Sequence, residues 1–259
     1  MEGSITSFDG KIIPASSSEM KSNFSEAKYV ATNGVAMMFR YFVPSVGEHQ
    51  KMPLIIYLHG AGQNGDDNIC QLDRGVGCLY SFMKGREDYQ AILVAPQCPV
   101  GAYWRNEDVL EALKQMIEYF AKHSYVDETR IYITGFSMGG DAAWQLALKY
   151  PFLMTTIIPV CGGPMVNMKQ EIPHVPTAMV DLNIWAFNNF DDPIVRPHFS
   201  KCVISQLWIF SDADNLNFTE NVSGGHSGEA VFRNRDVWIW MFSTHRTTPK
   251  PLSLNKSNN

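Results

Sequence analysis

One serine in this chain lies in a setting that favours nucleophilic chemistry. Ser137 is the centre of GFSMG at positions 135–139, which matches the pattern G-x-S-x-G. A β-branched run precedes it and a helix-period segment follows it, as expected of a strand that turns sharply into a helix. Such a turn presents the serine hydroxyl clear of the sheet, and its glycines avoid collisions that a Cβ would cause. The pattern therefore predicts that Ser137 is a nucleophile.

A serine hydroxyl needs a base to take its proton and a third group to orient that base. When the nucleophile follows a strand in this way, the acid and then the histidine come later in the chain. His226 lies in the glycine-rich loop 223–228, just before the last predicted helix, 229–242, and is the predicted base. Three other histidines follow Ser137. His174 lies too early in the chain to follow the acid, His198 lies beside the expected acid, and His245 lies at the start of the tail.

The acid is expected where a strand ends. Asp191 and Asp192 both follow the predicted strand 183–187, and their positions alone do not separate them. Other downstream aspartates are more simply interpreted as solvated loop carboxylates: Asp181, Asp212 and Asp214.

The negative charge that develops on an attacked carbonyl oxygen needs two backbone N–H donors. Met138, directly after the serine, is one expected donor. The loop HGAG at 59–62 follows an early buried strand and supplies the other, with Ala61 as the expected residue. His59 is predicted to hydrogen-bond within this loop, without a catalytic role.

Strands and helices alternate along most of the chain, which predicts an α/β fold with a mostly parallel, doubly wound sheet and helices on both faces. Continuous apolar runs at 54–58 and 91–95 predict strands buried on both faces. Residues 28–246 are interpreted as one catalytic domain. Residues 1–27 are interpreted as a loosely ordered lead-in, and 247–259 as a disordered tail.

Composition excludes several classes of protein. The 259 residues carry a formal net charge of −5 without a basic stripe, which argues against a nucleic-acid partner. Five cysteines without a C-x-x-C pair argue against a zinc site and a disulfide framework, and predict mostly buried free thiols. The chain contains no run of eighteen apolar residues that would span a membrane. Its N-terminus is unlike a secretory signal, so the expectation is a cytoplasmic protein or a mature secreted form.

The segments LHGAG, APQCP, TGFSMGG, CGG, DDPIV and GHSG together resemble the single-domain α/β-hydrolase esterases. This group includes predicted peptidases and feruloyl, acetyl xylan and polyhydroxybutyrate-depolymerase-like enzymes. The resemblance covers about residues 28 to 245. It implies an α/β-hydrolase fold, with Ser137 as nucleophile, His226 as base and Asp192 as acid. The usual His-Gly before the acid is replaced here by Asn188-Asn189.

The resemblance also implies that Trp104 is an aromatic residue close to the substrate pocket, although core packing explains a tryptophan there equally well. The expected activity is that of a serine carboxylic-ester hydrolase that forms an acyl-enzyme and needs no cofactor or metal. Short-chain or aromatic acyl esters are the expected substrates, including feruloyl or acetyl groups on plant polysaccharide. A serine peptidase or thioesterase is the alternative, and a non-catalytic binding protein is a weaker one.

Overall fold

The computed structural model describes residues 12–45, 50–164, 175–209 and 214–246. Within these residues one eight-stranded sheet has the order β1-β2-β4-β3-β5-β6-β7-β8. Its strands are β1 (Ser25–Val30), β2 (Ala36–Phe42), β3 (Met52–Leu58), β4 (Ile92–Pro96), β5 (Val126–Phe136), β6 (Thr156–Val160), β7 (Asn183–Asn189) and β8 (Leu216–Asn221). The helices are α1 (Ser17–Asn23), α2 (Arg74–Met83), α3 (Glu107–Ala121), α4 (Met138–Lys149), α5 (His198–Trp208), α6 (Glu229–Phe232) and α7 (Arg235–Ser243).

The sheet is antiparallel at one edge and parallel elsewhere. Strands β1 and β2 form a hairpin, and β2 runs antiparallel to β4. All pairings from β4 through β3, β5, β6 and β7 to β8 are parallel. Helices α3, α4 and α5 pack on one face, while α1, α2, α6 and α7 pack on the other. The prediction of a mostly parallel sheet covered on both faces is confirmed.

The centre of the sheet explains its apolar sequence. In β3, Leu54, Ile56 and Leu58 contribute to the core beneath α3 and α4. Ile55 and Tyr57 point the other way, into the core beneath α2 and α7. Because successive side chains of a strand face opposite sides, a strand covered on both faces must be apolar throughout.

The last helix differs from the prediction. The segment expected to be one helix over 229–242 is instead α6 followed by α7. Asn234 separates them because its side chain accepts a hydrogen bond from the backbone N–H of Asp236, at 3.0 Å. A short polar residue that caps the second helix therefore interrupts an otherwise continuous helical pattern.

The lead-in is more structured than the sequence suggested. From residue 12 onwards it contains α1, which Ser16 caps by accepting from the N–H of Glu19. The backbone N–H of Ile12 donates to the carbonyl of Arg233 at 2.9 Å, and β1 begins at Ser25 rather than at the predicted Lys28. Residues 1–11 and the tail 247–259 lie outside the described residues, so the expectation of a disordered tail stays a prediction.

The five cysteines are all free thiols, and three of them are buried: Cys78, Cys98 and Cys161. Among the residues that the structure describes, no helix has the length and apolar character needed to cross a bilayer. In the same residues, no group of three or more His, Cys, Asp or Glu side chains is arranged to hold a metal ion.

Candidate active site

The G-x-S-x-G segment forms a strained turn between β5 and α4. Ser137 has φ 55° and ψ −113°, a backbone conformation that residues other than glycine rarely adopt. A Cβ on Gly135 would lie 2.5 Å from the carbonyl oxygen of Leu58, and a Cβ on Gly139 would lie 1.9 Å from the same oxygen. The two glycines are therefore required because the backbone of β3 runs directly against the turn.

Three predicted residues meet at the carboxyl ends of the parallel strands. The Nε2 atom of His226 lies 2.7 Å from Oγ of Ser137. The Nδ1 atom of the same ring lies 2.7 Å from Oδ2 of Asp192, whose side chain is fully buried. An ionised carboxylate can only accept, so Nδ1 carries the ring proton and Nε2 is free to accept from the serine hydroxyl. The geometry is that of a nucleophile, a base and an orienting acid in series.

The structure separates the two neighbouring aspartates that their positions in the sequence alone left open. Asp192 contacts His226 through Oδ2, while its Oδ1 accepts from the backbone N–H groups of Ile194 and Val195 at 2.8 and 2.9 Å. Asp191 is exposed and accepts instead from the N–H groups of the loop ahead of His226, at Gly224 (3.2 Å) and Gly225 (2.8 Å). Asp192 is therefore the aspartate in contact with the imidazole, whereas Asp191 contacts the backbone of the loop that carries it.

Asn189 is a residue of the site that the sequence did not assign. Its buried Nδ2 donates to the carbonyls of Gly225 and Ser227, at 2.8 and 2.9 Å. Its Oδ1 accepts from Nδ2 of Asn221 at 2.9 Å, so the side chain joins the ends of β7 and β8 to the histidine loop. The sequence did contain one indication of its importance: asparagine stands at position 189, where the esterases that this chain resembles usually have glycine. Asn188 beside it is buried with no hydrogen-bond partner for its side chain in the described part of the chain.

The loop at 59–62 is held by buried groups. The Nδ1–H of His59 donates to the carbonyl of Gly60 at 2.7 Å, and its Nε2 accepts from the N–H of Cys98 at 2.9 Å. Burial lowers the pKa of His59 to about 4, so the ring is neutral at pH 7. A Cβ built on Gly60 would lie 3.5 Å from Cβ of Ser137, which places this loop against the turn. The prediction that His59 hydrogen-bonds within its loop is confirmed.

Trp104 lies in the core rather than at a pocket wall. Its side chain is fully buried, its Nε1–H donates to the carbonyl of His59 at 3.1 Å, and the two rings are 5.1 Å apart. The expectation that Trp104 contacts substrate is corrected here, because a fully buried indole offers no surface to a ligand. Its role is to position the 59–62 loop from beneath.

The alternatives named from the sequence lie elsewhere. His198 begins α5 and stacks on Phe199, with ring centroids 4.4 Å apart. Asp181 ends a short 3-10 helix, and Asp214 precedes β8. His174 and Asp212 lie outside the described residues. The hydrogen bonds observed for the His226 ring involve only Ser137 and Asp192 among the described side chains.

A cavity of about 310 Å³ opens beside His226 and Phe136, toward α2 and α6. Its wall includes Asp73, the N-terminal capping residue of α2, and the side chains of Tyr57 and Gln63 that bond to it. Burial raises the pKa of Asp73 to about 6, an effect that the hydrogen bond from Tyr57 opposes. Sequence reasoning missed this cavity because its residues come from at least five separate parts of the chain.

Comparison with known proteins agrees with the fold described above. A model of the Dienelactone hydrolase family matches residues 95–199. A structure described as a thermostable esterase is 29% identical, with a TM-score of 0.74 over 87% of this chain and 64% of the esterase chain. The chain has the α/β-hydrolase fold. By their descriptions, the matched family and the matched structure are a hydrolase and an esterase.

The chain also resembles Poly(3-hydroxyalkanoate) depolymerase C of Paucimonas lemoignei, with 25% identity over 234 residues. That match covers 85% of this chain and 56% of the depolymerase, so the chain spans about half the length of that relative. An S-formylglutathione hydrolase of Staphylococcus aureus shares the fold, with a TM-score of 0.61 at 11% identity over 85% of this chain and 98% of that one.

Proposed function

We propose that this α/β hydrolase cleaves carboxylic esters through a covalent acyl-enzyme on Ser137. The observation that supports this most strongly is the unbroken hydrogen-bonded series from Ser137 through His226 to Asp192, with both contacts at 2.7 Å. The esterase-type matches support the same reaction class.

In the first half of the reaction, Oγ of Ser137 bonds to the ester carbonyl carbon while its proton passes to Nε2 of His226. The carbonyl oxygen becomes negative and is stabilised by the N–H groups of Ala61 and Met138. The C–O bond to the alcohol then breaks, and His226 gives its proton to the departing oxygen. In the second half, His226 deprotonates a water that attacks the acyl carbon, and Ser137 leaves with that proton. Asp192 stabilises the imidazolium in both halves.

The proposed substrates are short-chain or aromatic acyl esters, including feruloyl or acetyl groups carried by plant polysaccharide. Within the described residues no long apolar insertion resembles a lipase lid, and we propose short acyl chains rather than long lipids on this basis. A second candidate is an ester of a 3-hydroxyalkanoate, which the named depolymerase relative favours. The alternative is that a protein of this fold cleaves peptides or thioesters, and a panel of substrates distinguishes these reactions.

The reaction is tested with 4-nitrophenyl acetate and a Ser137→Ala variant. We expect the variant to lose at least about 10⁴-fold in kcat, because the acyl-enzyme has no oxygen to form on. Near-wild-type turnover by a folded Ser137→Ala protein would contradict the assignment of Ser137.

The substrate is identified with a panel measured side by side on the wild type. Acetyl, butyryl, long-chain and feruloyl esters are compared with a 3-hydroxybutyrate oligomer, an acyl thioester and a peptide anilide. Fast hydrolysis of the anilide or thioester with slow hydrolysis of every oxygen ester would overturn the ester assignment.

A further inference from the structure

The cavity borders His226, the residue that protonates the departing alcohol in the proposed reaction. His226 must return its proton to the leaving oxygen, so that oxygen lies within hydrogen-bond reach of Nε2. The next two residues, Ser227 and Gly228, also line the cavity. Its volume of about 310 Å³ corresponds to about ten water molecules, which is enough for a small alcohol portion of an ester.

One carboxylate organises the floor of this cavity. Oδ1 of Asp73 accepts from the backbone N–H groups of Gly75 (2.8 Å) and Val76 (3.2 Å). Oδ2 accepts from the hydroxyl of Tyr57 at 2.9 Å and from Nε2 of Gln63 at 3.1 Å. A carboxylate has about four acceptor positions, and all four are filled. Asp73 is therefore a positioning residue with no acceptor left for a ligand.

The same contact fixes the orientation of the Gln63 side chain. Because Asp73 can only accept, the amide of Gln63 turns its NH₂ group toward the carboxylate. Its Oε1 then remains as an acceptor on a side chain that lines the cavity. Gln63 follows directly after the 59–62 loop, so this acceptor is linked to the backbone expected to hold the oxyanion.

The charges around the cavity balance. Oε1 of Glu229 lies 3.3 Å from NH1 of Arg74 and 3.4 Å from NH1 of Arg233. These two arginines are balanced by Glu229 and Asp73, and all four residues line the cavity. A balanced wall gives no net attraction to a charged alcohol portion, whereas a hydrogen-bond acceptor on the floor suits a neutral hydroxyl.

We propose that Gln63, held by Asp73, determines specificity for esters whose leaving alcohol carries a further neutral hydroxyl group, as in a polyol or a sugar. The hydroxyl of the alcohol donates to Oε1 of Gln63 while the ester oxygen lies at Nε2 of His226. This inference rests on the proposed ester hydrolysis and names the alcohol class for that reaction.

The test compares two esters of one acid, the 2-hydroxyethyl ester and the propyl ester, which differ by a hydroxyl in place of a methyl group. Both give the same acyl-enzyme, so the ratio of their kcat/KM values reports only the alcohol half of the reaction. We expect the wild type to favour the hydroxyethyl ester, and Gln63→Leu to lower that ratio by about tenfold, as expected for one lost neutral hydrogen bond.

Gln115→Leu is the matched control, since this amide bonds to Thr32 on the surface and should leave the ratio unchanged. General damage to the fold by Gln63→Leu would slow both esters equally and leave the ratio intact, and that result would overturn the inference. A wild type that hydrolyses both esters with equal kcat/KM would also overturn it while leaving ester hydrolysis standing. A wild type that hydrolyses neither ester, nor any other on the panel, would remove the proposed function and this inference with it.

Discussion

Two loops flank Ser137, and they are held in opposite ways. The loop at 59–62 is fixed from below by the buried ring of His59, the indole of Trp104 and the N–H of Cys98. The loop at 223–228 is held by the exposed side chain of Asp191 and the buried side chain of Asn189, whose hydrogen bonds to the loop are to its backbone. The first loop depends on core packing, and the second depends on polar side chains that extend from the end of β7.

The difference matches what each loop must do in the proposed reaction. Oxyanion donors stabilise a transition state best when they do not move, and burial in a packed core supplies that rigidity. The His226 ring must accept a proton and return it, so it lies at the surface with 15% of its side chain exposed. Disturbing the first loop should therefore cost mainly stability, while disturbing the second should cost mainly rate.

The largest expected effect is on rate, from Asp192→Asn. The asparagine can still accept from Ile194 and Val195, so the loop keeps its shape. Its NH₂ group, however, donates to Nδ1 of His226, which forces the ring proton onto Nε2 and points it at Ser137. We expect kcat to fall by about 10⁴-fold while the thermal midpoint moves by only a few degrees.

Steady-state kinetics and a thermal melt of the same preparation check this prediction. A variant that loses its fold together with its activity would show that Asp192 acts through stability. The proposal that the first loop governs stability and the second governs rate would then be wrong.

The next effect is on stability, from Trp104→Ala. Removing a fully buried indole leaves a cavity and an unpaired carbonyl at His59, so the free energy of unfolding should fall by about 3–5 kcal/mol. Trp104→Phe keeps most of the packing and should recover at least half of that loss. Denaturant unfolding of the three proteins measures both values. A stable Trp104→Ala protein with lost activity would show that the tryptophan acts at the substrate.

The parts of the site that could be predicted from the sequence are those whose residues lie together in a short segment of the chain. The turn at Ser137 and the loop at 59–62 are each recognised from a few neighbouring residues that include glycines, although the backbone contacts that require those glycines come from elsewhere in the chain. The choice between Asp191 and Asp192 was not local, since both follow the same strand and only the path of the 223–228 loop separates them. The position of Trp104, in the core or at the pocket, was ambiguous for a similar reason. Its burial depends on contact with His59, which the residues around Trp104 do not reveal.

The same distinction holds for the fold. The buried runs of β3 and β4 predicted a sheet covered on both faces, and the repeated alternation of strands and helices predicted its parallel order. The break between α6 and α7 was missed because the helical pattern continues through it, and a single capping asparagine decides the boundary. The cavity floor is formed where Tyr57 and Gln63 bond to Asp73, and no pattern in the surrounding sequence predicts these contacts.

A smaller effect is expected in the pH dependence of stability, through His59. Its folded pKa of about 4 lies below the value of about 6.5 for an unfolded histidine, so the unfolded chain binds a proton first as pH falls. The stabilisation is present above pH 6.5 and is lost between pH 6.5 and 4, by up to about 3 kcal/mol. A His59→Gln variant can still accept from Cys98 and does not titrate, so its stability should vary less over this range.

Denaturant titrations of both proteins at several pH values from 4 to 7 give the comparison. Asp73 acts in the opposite direction, because its raised pKa favours the folded state as pH falls through about 6. It is present in both proteins and so cancels in their difference. Parallel stability curves would mean that His59 is not held neutral by burial.

The smallest expected effect comes from Asp191→Ala, which tests the second loop alone. The change removes two hydrogen bonds to the backbone N–H groups of Gly224 and Gly225 but leaves Asp192 and its contact with His226 in place. We expect kcat/KM to fall by about tenfold, because a loosened loop spends less time with the imidazole in line with Ser137. Unfolding stability should change by less than about 1 kcal/mol, since Asp191 is exposed. Asp88→Ala, at another exposed aspartate, in the short 3-10 helix Glu87–Tyr89, is the matched control and should alter neither quantity. A loss of stability larger than the loss of rate would mean that the two loops are not held in different ways.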